Sequence, residues 1–232
     1  MNPSTATDAP RRRFAAWSIP RDIIIAPARA YASLAAKPAW LPAYAIILVS
    51  VLISVALIAP AFVHLIATVY PNAGVAHTPA ARADANRSLL VQVALQQSVI
   101  VPFVTIGLTA TTLTVVARLK GRPTTYAAYF ALMANCLVPT AIGTLISALG
   151  VRLHDPASFH DWRAVAIAVP DNLALFANAK NEREVLFLGQ FDIFNLWSYL
   201  LLAFGIVALT TVRLTTALAL AFGLDVCLAL LL

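Results

Sequence analysis

WLPAYAIILVSVLISVALIAP, residues 40–60, contains no Asp, Glu, Lys or Arg, and the chain stays apolar to about Tyr70. A helix rises about 1.5 Å per residue, so crossing a hydrocarbon layer of roughly 30 Å takes roughly 20 such residues. The stretch reads as a membrane span. Pro42 suits the first turn of a helix, where its missing N–H costs nothing, and Trp40 and Tyr70 carry the amphipathic rings favoured at membrane interfaces. Pro60, late in the run, is expected to kink the helix or end its regular part, leaving His64 near the outer headgroups.

The composition extends this reading to the whole chain. Of 232 residues, 61% are hydrophobic and 11% charged, and the mean hydropathy is +0.83. Globular domains carry roughly a quarter charged residues, so a large soluble domain is excluded. Further uncharged runs cover residues 88–117, with Pro102 inside; 124–151, with Pro139; 193–212, stopped by Arg213; and 214–232, which contains Asp225. The expected fold is all-α: a polytopic membrane bundle of five transmembrane helices, with spans at about 41–66, 88–117, 124–150, 192–212 and 214–232. A basic segment, 1–25, precedes this single membrane domain, 26–232. Cys136 and Cys227 both lie in apolar runs and read as small core residues, which excludes a disulfide scaffold and a thiolate metal centre.

Basic residues near span ends are retained on the cytoplasmic side. Ten Lys and Arg lie on the side of the N-terminus: Arg11, Arg12, Arg13, Arg21, Arg29 and Lys37 before the first span, Arg118, Lys120 and Arg122 in the second turn, and Arg213. The other side has Arg82, Arg87, Arg152, Arg163, Lys180 and Arg183, diluted by Asp155, Asp161, Asp171, Glu182 and Glu184. The N-terminus is therefore expected in the cytoplasm and, with five spans, the C-terminus outside. Anionic lipid headgroups, rather than nucleic acid, are the nearer partner for a net charge of +6 placed beside apolar segments. Arg11-Arg12-Arg13 does not open an export signal, because the only apolar stretch available to it is 23–26. PARAYASLAA, 27–36, is expected as a short interfacial helix with Tyr31 and Leu34 inward and Arg29 and Lys37 toward phosphate. The loop 152–190 suits partial helices on the membrane surface, with Asn181 and Glu184 as a capping pair. No fixed-period repeat supports an inverted-repeat transporter.

Polar groups in hydrocarbon are costly and so informative. Asp225, Gln92, Gln96, Asn135, Asp192 and Asn195 are expected to form a polar belt in the outer half of the membrane. Pro102 and Pro139 deprive the carbonyls of Ser98 and Asn135 of their helical donors and add acceptors. The sharper reading is a hydrated vestibule in which Asp225 takes up a proton or holds a cation. The plainer reading, and the preferred one, is hydrogen bonding between helices. His154-Asp155 and His160-Asp161 have no helical ligand spacing and read as loop. Thr105, Thr109 and Thr112, and Gly143 with Ser147, read as small-residue packing stripes. No nucleophile elbow, nucleotide loop or metalloprotease signature appears, so no enzyme class, cofactor or metal is expected.

FDIFNLWSYLLLAFG, residues 191–205, resembles the fourth-helix signature of the Yip (Ypt-interacting protein) domain family. APARAY at 26–31 followed by KPAWLP at 37–42, the basic turn into Tyr126 and Tyr129, and Asn135 to Pro139 fit the same pattern in order. The resemblance covers about residues 20–232 and rests on Pro27, Pro38, Trp40, Pro42, Pro139, Phe194, Trp197 and Gly205. It implies five helices with a cytoplasmic N-terminus. Eukaryotic members of the family associate with Rab GTPases, whereas bacterial members have no settled activity; the Ala-rich composition here points to a bacterial inner membrane, so Rab binding is not carried over. In their own right, Phe194 and Trp197 read as two rings on one packing face and Gly205 as a close-approach site. The expected role is a non-enzymatic membrane scaffold that binds a membrane protein or a second copy of itself. The alternative is a small transporter or channel component that uses the polar belt around Asp225.

Overall fold

The computed structural model describes residues 16–69, 88, 91–92, 94–121, 124–178, 181–189, 191–210 and 212–231, with side chains at all of these except 66–69, 97–98, 162, 182–183, 186 and 224–231. Every regular element among them is helical, and extended pairing is limited to an isolated bridge between Asn172 and Asp192. Four helical segments are long and apolar enough to cross a bilayer: Leu41–Leu65, Val101–Leu119, Tyr126–Leu153 and Ile193–Thr210. They belong to α3 (Leu41–Val69), α4 (Val101–Leu119), α5 and α6 (Tyr126–Cys136 and Val138–Leu153), and α9 (Ile193–Thr210). Two short helices, α1 (Ile19–Ile25) and α2 (Pro27–Ala36), come before them, and α7 (Trp162–Ala166) and α8 (Glu182–Gly189) lie between α6 and α9. The last helix, α10 (Leu214–Leu231), has 18 residues, and its apolar segment with described side chains is Leu214–Gly223.

Prolines set the helix breaks. Pro27, Pro102 and Pro139 each occupy the first turn of a helix, as does Pro42 in α3. Of the two outcomes expected at Pro60, an end to the regular helix does not occur: α3 runs through it to Val69. Neighbours that re-satisfy the freed carbonyl allow this in a membrane helix. Ahead of Pro102 the chain forms a π turn, Gln96–Ile100, in which the Val101 N–H bonds the Gln96 carbonyl. The wider turn shifts the register just where Pro102 has no N–H to offer. Pro139 splits the third span at Leu137, yet the Leu137 N–H still reaches Met133 and its carbonyl still receives Ala141.

The spans α9 and α5–α6 are antiparallel. Thr124 Oγ1 donates to the Leu209 carbonyl, Gly205 faces Leu132, Thr140 bonds Asn195 and Ser198, and Gly143 faces Phe194. Along this ladder α2 is not confined to the bilayer surface. Tyr31 and Leu34 point inward as expected, but inward here means into the bundle: both are buried, Tyr31 lies against Gly205, and its hydroxyl donates to the Leu201 carbonyl at 2.6 Å. Trp40 packs edge-on against Phe130 and Tyr44, and Phe103 closes the cluster against Tyr44 and Phe130, joining α3, α4 and α5. This ring packs against protein rather than serving only as an interfacial anchor; Tyr70 lies outside the described residues. A second aromatic run, Phe187, Phe191, Phe222 and Tyr199, ties α8 to α9 and α10.

The segment between α6 and α9 covers the ends of α3 and α6. Phe159 is buried with Ala61, Leu65 and Val151, and Gly150 admits Val169. Asp155, Asp161 and Asn172 each cap a short helix by accepting a backbone N–H, and Asn181 accepts from the Glu184 N–H, which is the expected capping pair. The two His-Asp pairs thus owe their acids to capping, and His154 Nδ1 sits 2.8 Å from the Gly150 carbonyl.

Close approach makes an ordered prediction for the glycines. A Cβ on Gly143 would lie 2.6 Å from Phe194 Cδ2 and 2.7 Å from its Cβ, atoms that cannot swing away, whereas on Gly205 it would fall on the tip of Leu132 and 3.1 Å from Tyr31 Cε1. Thermal unfolding in detergent should show Gly143→Ala destabilised by about 1–3 kcal/mol, Gly205→Ala destabilised less, and Gly189→Ala unchanged or slightly stabilised, since nothing lies within 4 Å of that position.

Candidate functional site

The entrance of α9 is built by a carboxylate cap. Asp192 Oδ1 accepts the N–H groups of Phe194 (2.7 Å) and Asn195 (2.8 Å), and Oδ2 accepts from Asn195 Nδ2 at 2.7 Å. The first turn of a helix leaves its N–H groups without helical partners, and an acid placed there satisfies them and meets the positive end of the dipole. Asn195 Oδ1 then accepts from Thr140 Oγ1 at 2.8 Å, and Thr140 and Ser198 hydroxyls are 2.8 Å apart. The Thr140 proton points to Asn195, so Ser198 must donate to Thr140. Donors therefore run from Ser198 through Thr140 and Asn195 to Asp192, ending on the one group able to carry negative charge. This chain stitches α6 to α9.

Asp192 lies immediately outside the span Ile193–Thr210. Burial raises its carboxyl above the ordinary range; the N–H groups of Asn195 and Phe194 oppose the rise, and the nearby Asp171 carboxylate adds to it.

Asn135 belongs to a different place. It is fully buried, and its Nδ2 donates to the Ala39 carbonyl at 2.9 Å and to the Ala131 carbonyl at 2.8 Å, while Oδ1 has no partner. It is five residues from Thr140 along the third span, roughly 7–8 Å at 1.5 Å per residue, and holds the link between α2 and α3 rather than the entrance of α9. The expected belt is thus divided into an entrance chain and a deeper latch. Gln92 and Gln96 have exposed side chains; Asp225 is on α10, and its side chain is outside those described.

Among the positions carrying the family resemblance, Gly205 and Phe194 make close helix contacts, whereas Trp197 is 40% exposed. Phe194 packs onto Gly143. Pro38 lies in the linker that Asn135 grips from Ala39. Thr140, Ser198 and Tyr31 were not singled out as bonding partners by the sequence. Ser198 follows Asn195 by three residues, a same-face spacing visible in the chain, but its meeting with Thr140 depends on tertiary packing. Thr109 is buried with its hydroxyl unpartnered, as is the Tyr129 hydroxyl.

The N-terminal pair is held by two separable bonds. Tyr31→Phe removes the bond to Leu201 and should cost about 1 kcal/mol, and Asn135→Leu removes two donated bonds and should cost about 1–3 kcal/mol. Limited proteolysis should then cut within 16–37 faster than in the parent while the spans stay protected. For Asp192, a raised folded pKa means that the folded state holds the proton more tightly than the unfolded one. The stabilisation is full below the unfolded value of 3.8 and is lost as pH rises through the raised folded value. Melting profiles across this range should fall with pH in the parent, and Asp192→Asn should flatten that component.

Compared with family models, with curated proteins and with solved structures, the chain matches none.

Proposed function

We propose that this chain is a non-enzymatic, multi-pass scaffold of the Yip type in a bacterial inner membrane, with five spans, a cytoplasmic N-terminus and a periplasmic C-terminus. It organises the surrounding membrane or a membrane-protein partner, a second copy included. The observation that carries this reading is where the polar side chains direct their bonds: Asp192, Asn195, Thr140 and Ser198 bond one another across α6 and α9, and Asn135 and Tyr31 bond the bundle's own carbonyls. Groups committed to internal bonds hold helices together, and such bonds are modest glue in lipid, where apolar side chains gain nothing by leaving the hydrocarbon. Outward, α9 presents Leu196, Leu200 and Phe204 at a spacing of four, all exposed, a stripe for lipid or for a neighbouring helix.

The second reading, a small transporter or channel component, is favoured by the donor chain that ends on Asp192 and by Asp225 on α10. Crosslinking in native membranes, followed by mass spectrometry, separates the two. The scaffold predicts one stoichiometric membrane neighbour or a self-crosslink, and no proton or cation flux from purified protein in liposomes. Flux that is abolished by Asp225→Asn, with no neighbour recovered, would replace the scaffold with the transporter.

A further inference from the structure

Each of the two N-terminal helices leaves one face uncovered, and the charge on these faces is one-sided. The exposed positions are Trp17, Arg21 and Ile25 around the first, and Ala28, Arg29, Ala32, Ala35, Ala36 and Lys37 around the second. The opposite faces, with Ile19, Ile23, Ala30, Tyr31 and Leu34, are buried in the bundle. Trp17 and Ile25, on either side of Arg21 in the chain, are 66% and 68% exposed. Three cations lie on the outer faces and no acid does. The acid of this segment, Asp22, is on the buried side at 5% exposure, where it pairs with Arg21 at 2.9 Å. Arg118, Lys120 and Arg213, at the ends of chain flanking the Thr124–Leu209 bond, are exposed too.

We propose that these faces form a binding surface for anionic phospholipid headgroups of the cytoplasmic leaflet. Trp17 and Ile25 enter the headgroup–acyl boundary, and Arg29 and Lys37 reach phosphate, Arg21 being held by Asp22. A ring and an aliphatic side chain at the boundary, flanked by long cationic side chains that extend their charge to the headgroup layer, are what an interfacial helix needs. The alanines let it lie close. Charge complementarity selects the occupant: a row of cations with no outward acid is attracted to a negatively charged leaflet and gains little from zwitterionic lipid. The assignment of leaflet rests on the cytoplasmic N-terminus proposed above; the surface itself does not.

The test uses the full chain, purified and placed in phosphatidylcholine bilayers with or without phosphatidylglycerol, with retained lipid counted by native mass spectrometry. The parent should retain phosphatidylglycerol over phosphatidylcholine. The double variant Arg29→Gln, Lys37→Gln should lower that preference by at least tenfold, at roughly fivefold per cation removed, with an unchanged melting temperature. Arg152→Gln, at the opposite end, should leave it intact. Bromine-labelled lipid should quench Trp17 in a variant whose other tryptophans are replaced by Phe. Equal retention of both lipids by the parent, an undiminished preference in the double variant, or an unquenched Trp17 that is instead protected by an acidic protein would each overturn the proposal. A reporter placing the N-terminus outside, with the lipid preference kept, would overturn the orientation and leave the surface standing.

Discussion

Within hydrocarbon a backbone N–H or C=O without a partner costs several kcal/mol, and this constraint shapes every departure from regular helix in the molecule. Three of the four prolines inside the spans meet it differently. Pro60 is absorbed within α3, Pro102 is preceded by a π turn that changes the hydrogen-bond register, and Pro139 begins a new helix after a break of one residue at Leu137. The break is narrow because Met133 and Ala141 still bond across it. On either side of it, Thr140 meets the entrance of α9 and Asn135 holds the N-terminal linker.

Two kinds of polar bond follow from the same constraint. At the entrance of α9 a carboxylate satisfies N–H groups that any helix leaves open, and the amide and hydroxyls behind it carry the bond to the neighbouring helix. Deeper in the bundle, Tyr31 and Asn135 reach backbone carbonyls of other elements. Between these bonds the contacts are ones of shape. Gly143 and Gly205 open space for Phe194 and for Tyr31 with Leu132, and dispersion at that range replaces the hydrophobic drive that lipid removes. A bundle made in this way is closely packed where helices meet and apolar where they face outward.

How much of this was legible in the chain differs by residue. The spans over 41–65 and 193–210, the basic turns and the Asn181–Glu184 cap depend on neighbours in sequence, and their signals are local: runs of apolar residues, clustered cations, a side chain three residues before its partner. The bonding within the polar belt was not legible, because a partner across the bundle is not a local property. Asn135 and Asn195 were both read into the outer half of the membrane, but Asn135 bonds Ala39 and Ala131 whereas Asn195 bonds Thr140. Phe194 packs on Gly143 and Trp197 is 40% exposed, a difference that their spacing of three does not encode.

By itself the sequence determined that the chain is helical, apolar enough for a bilayer and basic toward one end, because helix period, hydropathy and charge are read from each residue and those adjacent to it. Tertiary structure alone decided that α1 and α2 bury one face in the bundle, that Asp192 ends a donor chain beginning at Ser198, and which face of 16–37 is left exposed. Those outcomes require residues 170 positions apart, such as Tyr31 and Leu201, to find one another. Nothing in a linear pattern encodes the carbonyl that a buried hydroxyl will meet; only the packed arrangement of helices brings it within reach.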